Sequence, residues 1–150
     1  MNKVLVFVFL VFMGCSSDNK RLVKKAYVDQ PELDLLDGLN NLRNRYGLED
    51  IIIDTLSTHI ALKHNDYMIR EKRVSHDLFL SRKSFIFKER DGTDVEEIVA
   101  KGYESSQDVL DAWLHNPINF KAIIGDYKYV VISIKEKHYT VIFYNKLLIL

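Results

Sequence analysis

The chain has 150 residues, of which 47% are hydrophobic and 28% charged, a balance that fits one globular domain and excludes a disordered polymer. Lys plus Arg and Asp plus Glu each number 21, so there is no basic excess to neutralise phosphates and no nucleic-acid partner is expected. A single Cys excludes a disulfide framework and a multi-Cys zinc site, and 2 prolines exclude a Pro-rich architecture.

Asn2 and Lys3 precede an unbroken apolar run from Val4 to Met13. Ten residues rise about 15 Å as a helix, half of a ~30 Å hydrocarbon core, so the run fits a signal-peptide core better than a membrane span. Gly14-Cys15-Ser16-Ser17 follows at once and resembles the lipobox of a bacterial lipoprotein, although Phe12 and Met13 are bulkier than is usual there. That resemblance implies cleavage after residue 14 and acyl chains on Cys15. Residues 15–30, polar and bearing Lys20, Arg21, Lys24 and Lys25, read as a tether, and residues 31–150 as the folded domain. The expected location is the bacterial cell envelope, with the membrane reached through the lipid anchor.

A first helix is predicted from Pro31 to about Gly47, with Leu35, Leu36, Leu39 and Leu42 on one side. A second is predicted from Asp54 as N-cap to about Arg70, with Leu56, Ile60, Tyr67 and Met68 inward and His64 at the edge of that stripe. Between Leu78 and Thr93 the pattern is weak. Ser84 to Phe87 reads there as a short strand, and Asp91-Gly92 as a turn. Asp94 to Ala100 is a short helical or extended stretch. Ser105 and Asp108 form a capping box ahead of a helix carrying Val109, Leu110, Trp113 and Leu114, which Asn116-Pro117 ends. Tyr127 to Ile134 and His138 to Tyr144 are two strands joined by Lys135-Glu136-Lys137. Helices first and a hairpin last give an α+β class with helices packed on an antiparallel sheet.

The order of these segments resembles the CAP (SCP-like) domain of cysteine-rich secretory, antigen 5 and pathogenesis-related proteins, in its bacterial branch. Leu39-Asn40-Asn41-Leu42-Arg43 with Tyr46-Gly47-Leu48 is similar to that branch's opening helix, and Ala61 to Met68 with Val74-Ser75-His76-Asp77 to its second helix and Ser-His-Asp signature. Glu97-Ile98-Val99-Ala100-Lys101-Gly102-Tyr103 resembles a Glu-Asn-Ile-Ala motif with Ile98 in place of Asn. Ala112 to Asn119 resembles Ala-Trp-x-x-Ser-Pro-Gly-His, with Asn116 in place of Ser and Asn119 in place of His. His138-Tyr139-Thr140 resembles the His-Tyr-Thr strand of eukaryotic members.

The resemblance implies an α-β-α sandwich with a cleft containing His76, Glu97, Asn119 and His138. It also implies that His76, Glu97 and His138 are the candidate ligands of a divalent metal such as zinc. Two imidazoles and a carboxylate suffice for zinc with water in the fourth place, but Asn119 is neither a base nor a good zinc ligand. Ser75 beside His76 is no catalytic dyad, since adjacent residues do not face each other, and His59 and His64 diverge by about 140° around a helix. His64 is expected to be a partly buried histidine hydrogen-bonded to a neighbour, or else a residue orienting His76 or Glu97. The aromatic residues Trp113, Tyr127, Tyr129, Tyr139, Phe143 and Tyr144 read as core, and Arg82-Lys83 as part of a solvated face. The function expected is a membrane-tethered binding or interaction module for a small amphiphile, an envelope polymer or a protein, without established catalysis. The alternative is a metal-dependent hydrolase using the His/Glu cleft.

Overall fold

The computed structural model describes residues 28–147, so Cys15, the apolar run and most of the expected tether lie outside the described residues. Helix α1 (Gln30–Arg45) has Pro31 and Glu32 in its first turn and Arg43 and Arg45 in its last, as helix ends favour. It ends in a Schellman motif: Gly47, at φ 72°, donates its N–H to the Asn44 carbonyl while Leu48 donates to that of Arg43. Leu35, Leu39 and Leu42 are its buried stripe.

A two-residue strand β1 (Ile52–Ile53) leads into a 3-10 turn (Thr55–Ser57), capped by the Asp54 carboxylate on the Leu56 N–H. Helix α2 (Thr58–Glu71) follows, so the predicted cap at Asp54 starts the turn rather than the helix itself. The strand expected at Ser84 to Phe87 is not one: the segment is the middle of helix α3 (Phe79–Glu89). Phe79, Arg82 and Ile86, at i, i+3 and i+7, turn toward the sheet and set the helical period that Phe85 and Phe87 obscure. Strand β2 (Gly92–Lys101) settles the ambiguous Asp94 segment as extended. Helix α4 (Ser106–Leu114) carries the predicted capping box of Ser105 and Asp108, and Asn116 caps α5 (Pro117–Ile123) through the N–H groups of Ile118 and Asn119. Strands β3 (Tyr129–Lys135) and β4 (His138–Lys146) form the closing hairpin. Its turn residues Glu136 and Lys137 both have positive φ, as a two-residue I′ turn requires.

The sheet runs β1-β3-β4-β2, antiparallel except where β1 pairs parallel with β3. Helices α1, α4 and α5 cover one face over a core of Leu35, Leu39, Trp113, Ile123, Val141 and Phe143. Helices α2 and α3 cover the other over Ile60, Ala61, Ile86, Val131, Ile142 and Tyr144. The fold is an α-β-α sandwich of the α+β class. Strand alternation decides which side each β2 residue serves: Ile98 and Ala100 enter the first core, Val95 the second. Glu97 therefore points toward α2 and α3.

Candidate functional site

Glu97 is a carboxylate on the inward side of β2, with its side chain only 1% exposed. A buried charge needs a partner, and Arg82 of α3 supplies it. Its Nε donates to Oε2 at 2.6 Å and its Nη2 to Oε1 at 2.7 Å, a two-point fork. His76 Nδ1 donates to Oε1 at 3.0 Å. Because an ionised carboxylate only accepts, Nδ1 carries a proton, and Nε2 is the ring nitrogen left free of this bond on a side chain that is 55% exposed. Burial alone would raise the Glu97 carboxyl; the hydrogen bonds from His76 and Arg82, with the Arg82 charge, outweigh it and hold it below the ordinary Glu value.

The loop bearing His76 is pinned on both sides. Lys72 ends α2 in the left-handed conformation, and Leu78 begins α3 from another. His64, 3% exposed, donates Nε2–H to the Ser75 carbonyl at 2.7 Å. Arg82 Nη1 donates to the Asp77 carbonyl at 2.9 Å. The Asp77 carboxylate accepts from the Tyr67 hydroxyl at 2.6 Å and from the Arg73 guanidinium. The backbone carbonyls flanking His76 are thus held by a helix on each side. Burial, with the nearby Arg82 charge, keeps the His64 imidazole below its ordinary value and hence neutral.

Of the residues expected in the cleft, the structure brings His76 and Glu97 together and puts His64 behind them, acting through the Ser75 carbonyl. It does not bring His138 to them. His138 pairs with Lys101, whereas Glu97 lies opposite Ile142, four residues and about 13 Å along the strand. There His138 Nδ1 bonds to the Glu136 carbonyl of the hairpin turn. Asn119 lies on α5, in the layer covering the opposite face, and its N–H is taken by the Asn116 side chain. The metal set of His76, Glu97 and His138 does not assemble: both Glu97 oxygens already accept from Arg82. Among the described residues no group of three or more His, Cys, Asp or Glu side chains converges as metal ligands.

Arg82, expected on a solvated face, is the residue that sequence reasoning missed. It is 7% exposed and completes the cluster. The signal was present in Glu97 itself, since a carboxylate expected inside the cleft demands a cation from whatever packs over it. Beside the cluster, α2 and α3 enclose a groove of about 370 Å³, with Ile60, Leu78 and Phe85 as apolar wall and Lys63, His64 and Arg82 as polar boundary.

No protein-family model and no curated protein matches the sequence. Solved structures do match. An outer surface protein of Borrelia burgdorferi superposes with a TM-score of 0.68 at 20% identity, over 80% of this chain and 97% of that one. An extracellular SCP-domain protein of Bacillus anthracis gives 0.70 at 19% identity, over 77% of this chain and 40% of that one. A cysteine-rich secretory protein of Staphylococcus aureus gives 0.68 at 17% identity, over 80% and 40%. The chain thus spans two fifths of the length of the latter two and nearly all of the first. Its fold is the SCP (CAP) fold.

Proposed function

We propose that this is an exported protein of the bacterial cell envelope, held to a membrane by acyl chains on Cys15, whose SCP-fold domain binds a ligand rather than hydrolysing one. The observation carrying this reading is the engagement of both Glu97 oxygens by Arg82. A metal-dependent hydrolase needs an open coordination position and a carboxylate free to ligate or to take a proton. Here Arg82 occupies both oxygens, and His138 is displaced to the hairpin. The location is supported by the Gly14-Cys15 signature and by three structural neighbours described as outer surface, extracellular or secretory proteins.

One feature favours the hydrolase alternative: Glu97 orients His76 so that its Nε2 is a presented base. Two measurements separate the readings. Mass spectrometry of the protein from membranes should find Cys15 at the N-terminus with acyl chains, and Cys15→Ala should release the domain on carbonate washing. Metal analysis, with ester and peptide hydrolysis assays with and without chelator, should find neither stoichiometric metal nor chelator-sensitive turnover. Turnover that disappears with His76→Ala would replace the binding reading by the catalytic one.

A further inference from the structure

The groove between α2 and α3 has a composition that selects its occupant. Ile60, Leu78 and Phe85 form the apolar wall, and none of the residues lining it is acidic. Leu78 stands 66% exposed at the mouth, a large apolar side chain with no covering neighbour among the described residues. The polar boundary offers donors. Arg82 is nine-tenths buried, yet only three of the five N–H groups of a guanidinium have acceptors here, two on Glu97 and one on the Asp77 carbonyl. Lys63, exposed on α2, adds a full positive charge at the rim and takes part in no ion pair among the described residues. His64 spends its Nε2–H on Ser75, and two edge- or face-packed aromatic pairs, His59 with Phe85 and His64 with Tyr67, stiffen the flanks. An occupant therefore meets an apolar, partly aromatic wall and a cationic, donor-rich boundary.

We infer that this groove is a binding site for a compact anionic amphiphile. Its aromatic or short alkyl body lies between Ile60, Leu78 and Phe85, and its carboxylate or phosphate head is held by Lys63 and the unused N–H groups of Arg82. The inference rests on the binding-module reading above and gives it a place and a ligand chemistry. A volume of about 370 Å³ lies at the small end of ligand pockets, which excludes large envelope polymers from the groove itself. The Arg82 charge is already balanced by Glu97, so Lys63 supplies the net attraction and Arg82 the directional hydrogen bonds.

The test uses the full chain in neutral-detergent micelles, titrated while amide resonances are followed by NMR. The ligands are four that differ only in head group: 4-phenylbutyrate, 4-phenylbutyl phosphate, 4-phenylbutanol and 4-phenylbutylamine. Lys63→Glu and Leu78→Ser are the variants, both at exposed positions that leave the fold intact. Affinities are compared for each ligand as a wild-type to variant ratio, which cancels partition into the micelle. Lys63→Glu should weaken both anions at least about five-fold, leave the alcohol unchanged and strengthen the amine. Leu78→Ser should weaken all four, and the saturable shifts should centre on α2 and α3. The tighter anion identifies the head as carboxylate or phosphate. Equal ratios for all four ligands with Lys63→Glu, shifts lying elsewhere, or no saturable shift overturns the site. Bound zinc with chelator-sensitive hydrolysis would instead overturn the binding-module reading and leave these ratios untouched.

Discussion

Arg82 and Glu97, fifteen positions apart, close a two-point ion pair between α3 and β2 with their side chains 8% and 1% exposed. The pair does two things at once. It neutralises a carboxylate that strand alternation forces into the interior, and it fixes where His76 points. Buried pairs are often matched or bettered by apolar side chains of similar volume, but removing one partner strands a charge and costs about 3–5 kcal/mol. Arg82→Met should therefore destabilise by about that amount, and Arg82→Met with Glu97→Leu should recover most of the loss. Denaturant melts decide this. A double variant as unstable as the sum of the singles would mean the two residues are not coupled.

Much of the fold was legible because the patterns that carry it are local. Leu35, Leu39 and Leu42 repeat at helical spacing, Ser105 and Asp108 cap a helix, and the last two apolar runs are separated by a turn. Trp113, 2% exposed and edge-on to Tyr139, sits where its helical face placed it. Helix α3 was not legible, because apolar side chains lie on several of its sides: Leu80 and Phe87 face solvent while Ile86 is buried. The same misreading hid Arg82, since only a helical period shows that it shares a face with Phe79 and Ile86. His76 and Glu97 were expected in one cleft and do meet, whereas His138, expected with them, was carried by motif and not by register. A one-dimensional match gives no distance along a strand, and the pairing of Lys101 with His138 supplies it.

Arg43 is 1% exposed and forms no ion pair among the described residues; its guanidinium instead donates to the carbonyls of Glu49, Ile123, Gly125 and Tyr127. It fastens the end of α1 to the link between α5 and β3. Lysine has the charge but not the planar fork. Arg43→Lys should leave carbonyls without donors and cost about 2–3 kcal/mol, read as a lower denaturation midpoint at unchanged slope. A loss below about 0.5 kcal/mol would show that water replaces the fork freely.

His64 sets an acid limit on the domain. Burial keeps its folded value below that of an unfolded histidine, about 6.5, with the Arg82 charge acting in the same direction. The unfolded chain therefore binds the proton more readily, and the stability tied to neutral His64 is present above about pH 6.5 and lost as pH falls through the folded value. Glu97, held low by His76 and Arg82 against the opposing effect of burial, adds a second loss only below the ordinary Glu range. Melts from pH 7.5 to 5 should show declining stability in the native chain. His64→Gln, which can still donate to the Ser75 carbonyl, should flatten the slope. An unchanged slope would place the sensitive group elsewhere.

Glu32 has the opposite sign. It lies in the first turn of α1, 7% exposed, where Oε1 accepts the Ile134 N–H at 3.0 Å and Oε2 has no partner among the described residues. Burial raises its carboxyl; its hydrogen bonds from backbone N–H groups lower it by less. A carboxyl with a raised folded value favours the folded state below its unfolded value of about 4.5, and that contribution disappears as pH rises through the folded value. When ionised, Glu32 thus holds a buried carboxylate oxygen with no partner among the described residues. Glu32→Gln keeps an oxygen acceptor for Ile134 and removes the charge. The favourable effect of a negative charge at a helix N-terminus is worth about 0.3–1 kcal/mol, while a buried charge without a full set of partners costs more than the neutral amide that replaces it, so removal of the charge wins. Glu32→Gln should stabilise the domain by about 1 kcal/mol at pH 7.5, and the gain should vanish by pH 4. Paired thermal melts at the two pH values measure it. Destabilisation at pH 7.5 would mean that Oε2 is satisfied in solution and that the N-terminal turn needs its charge.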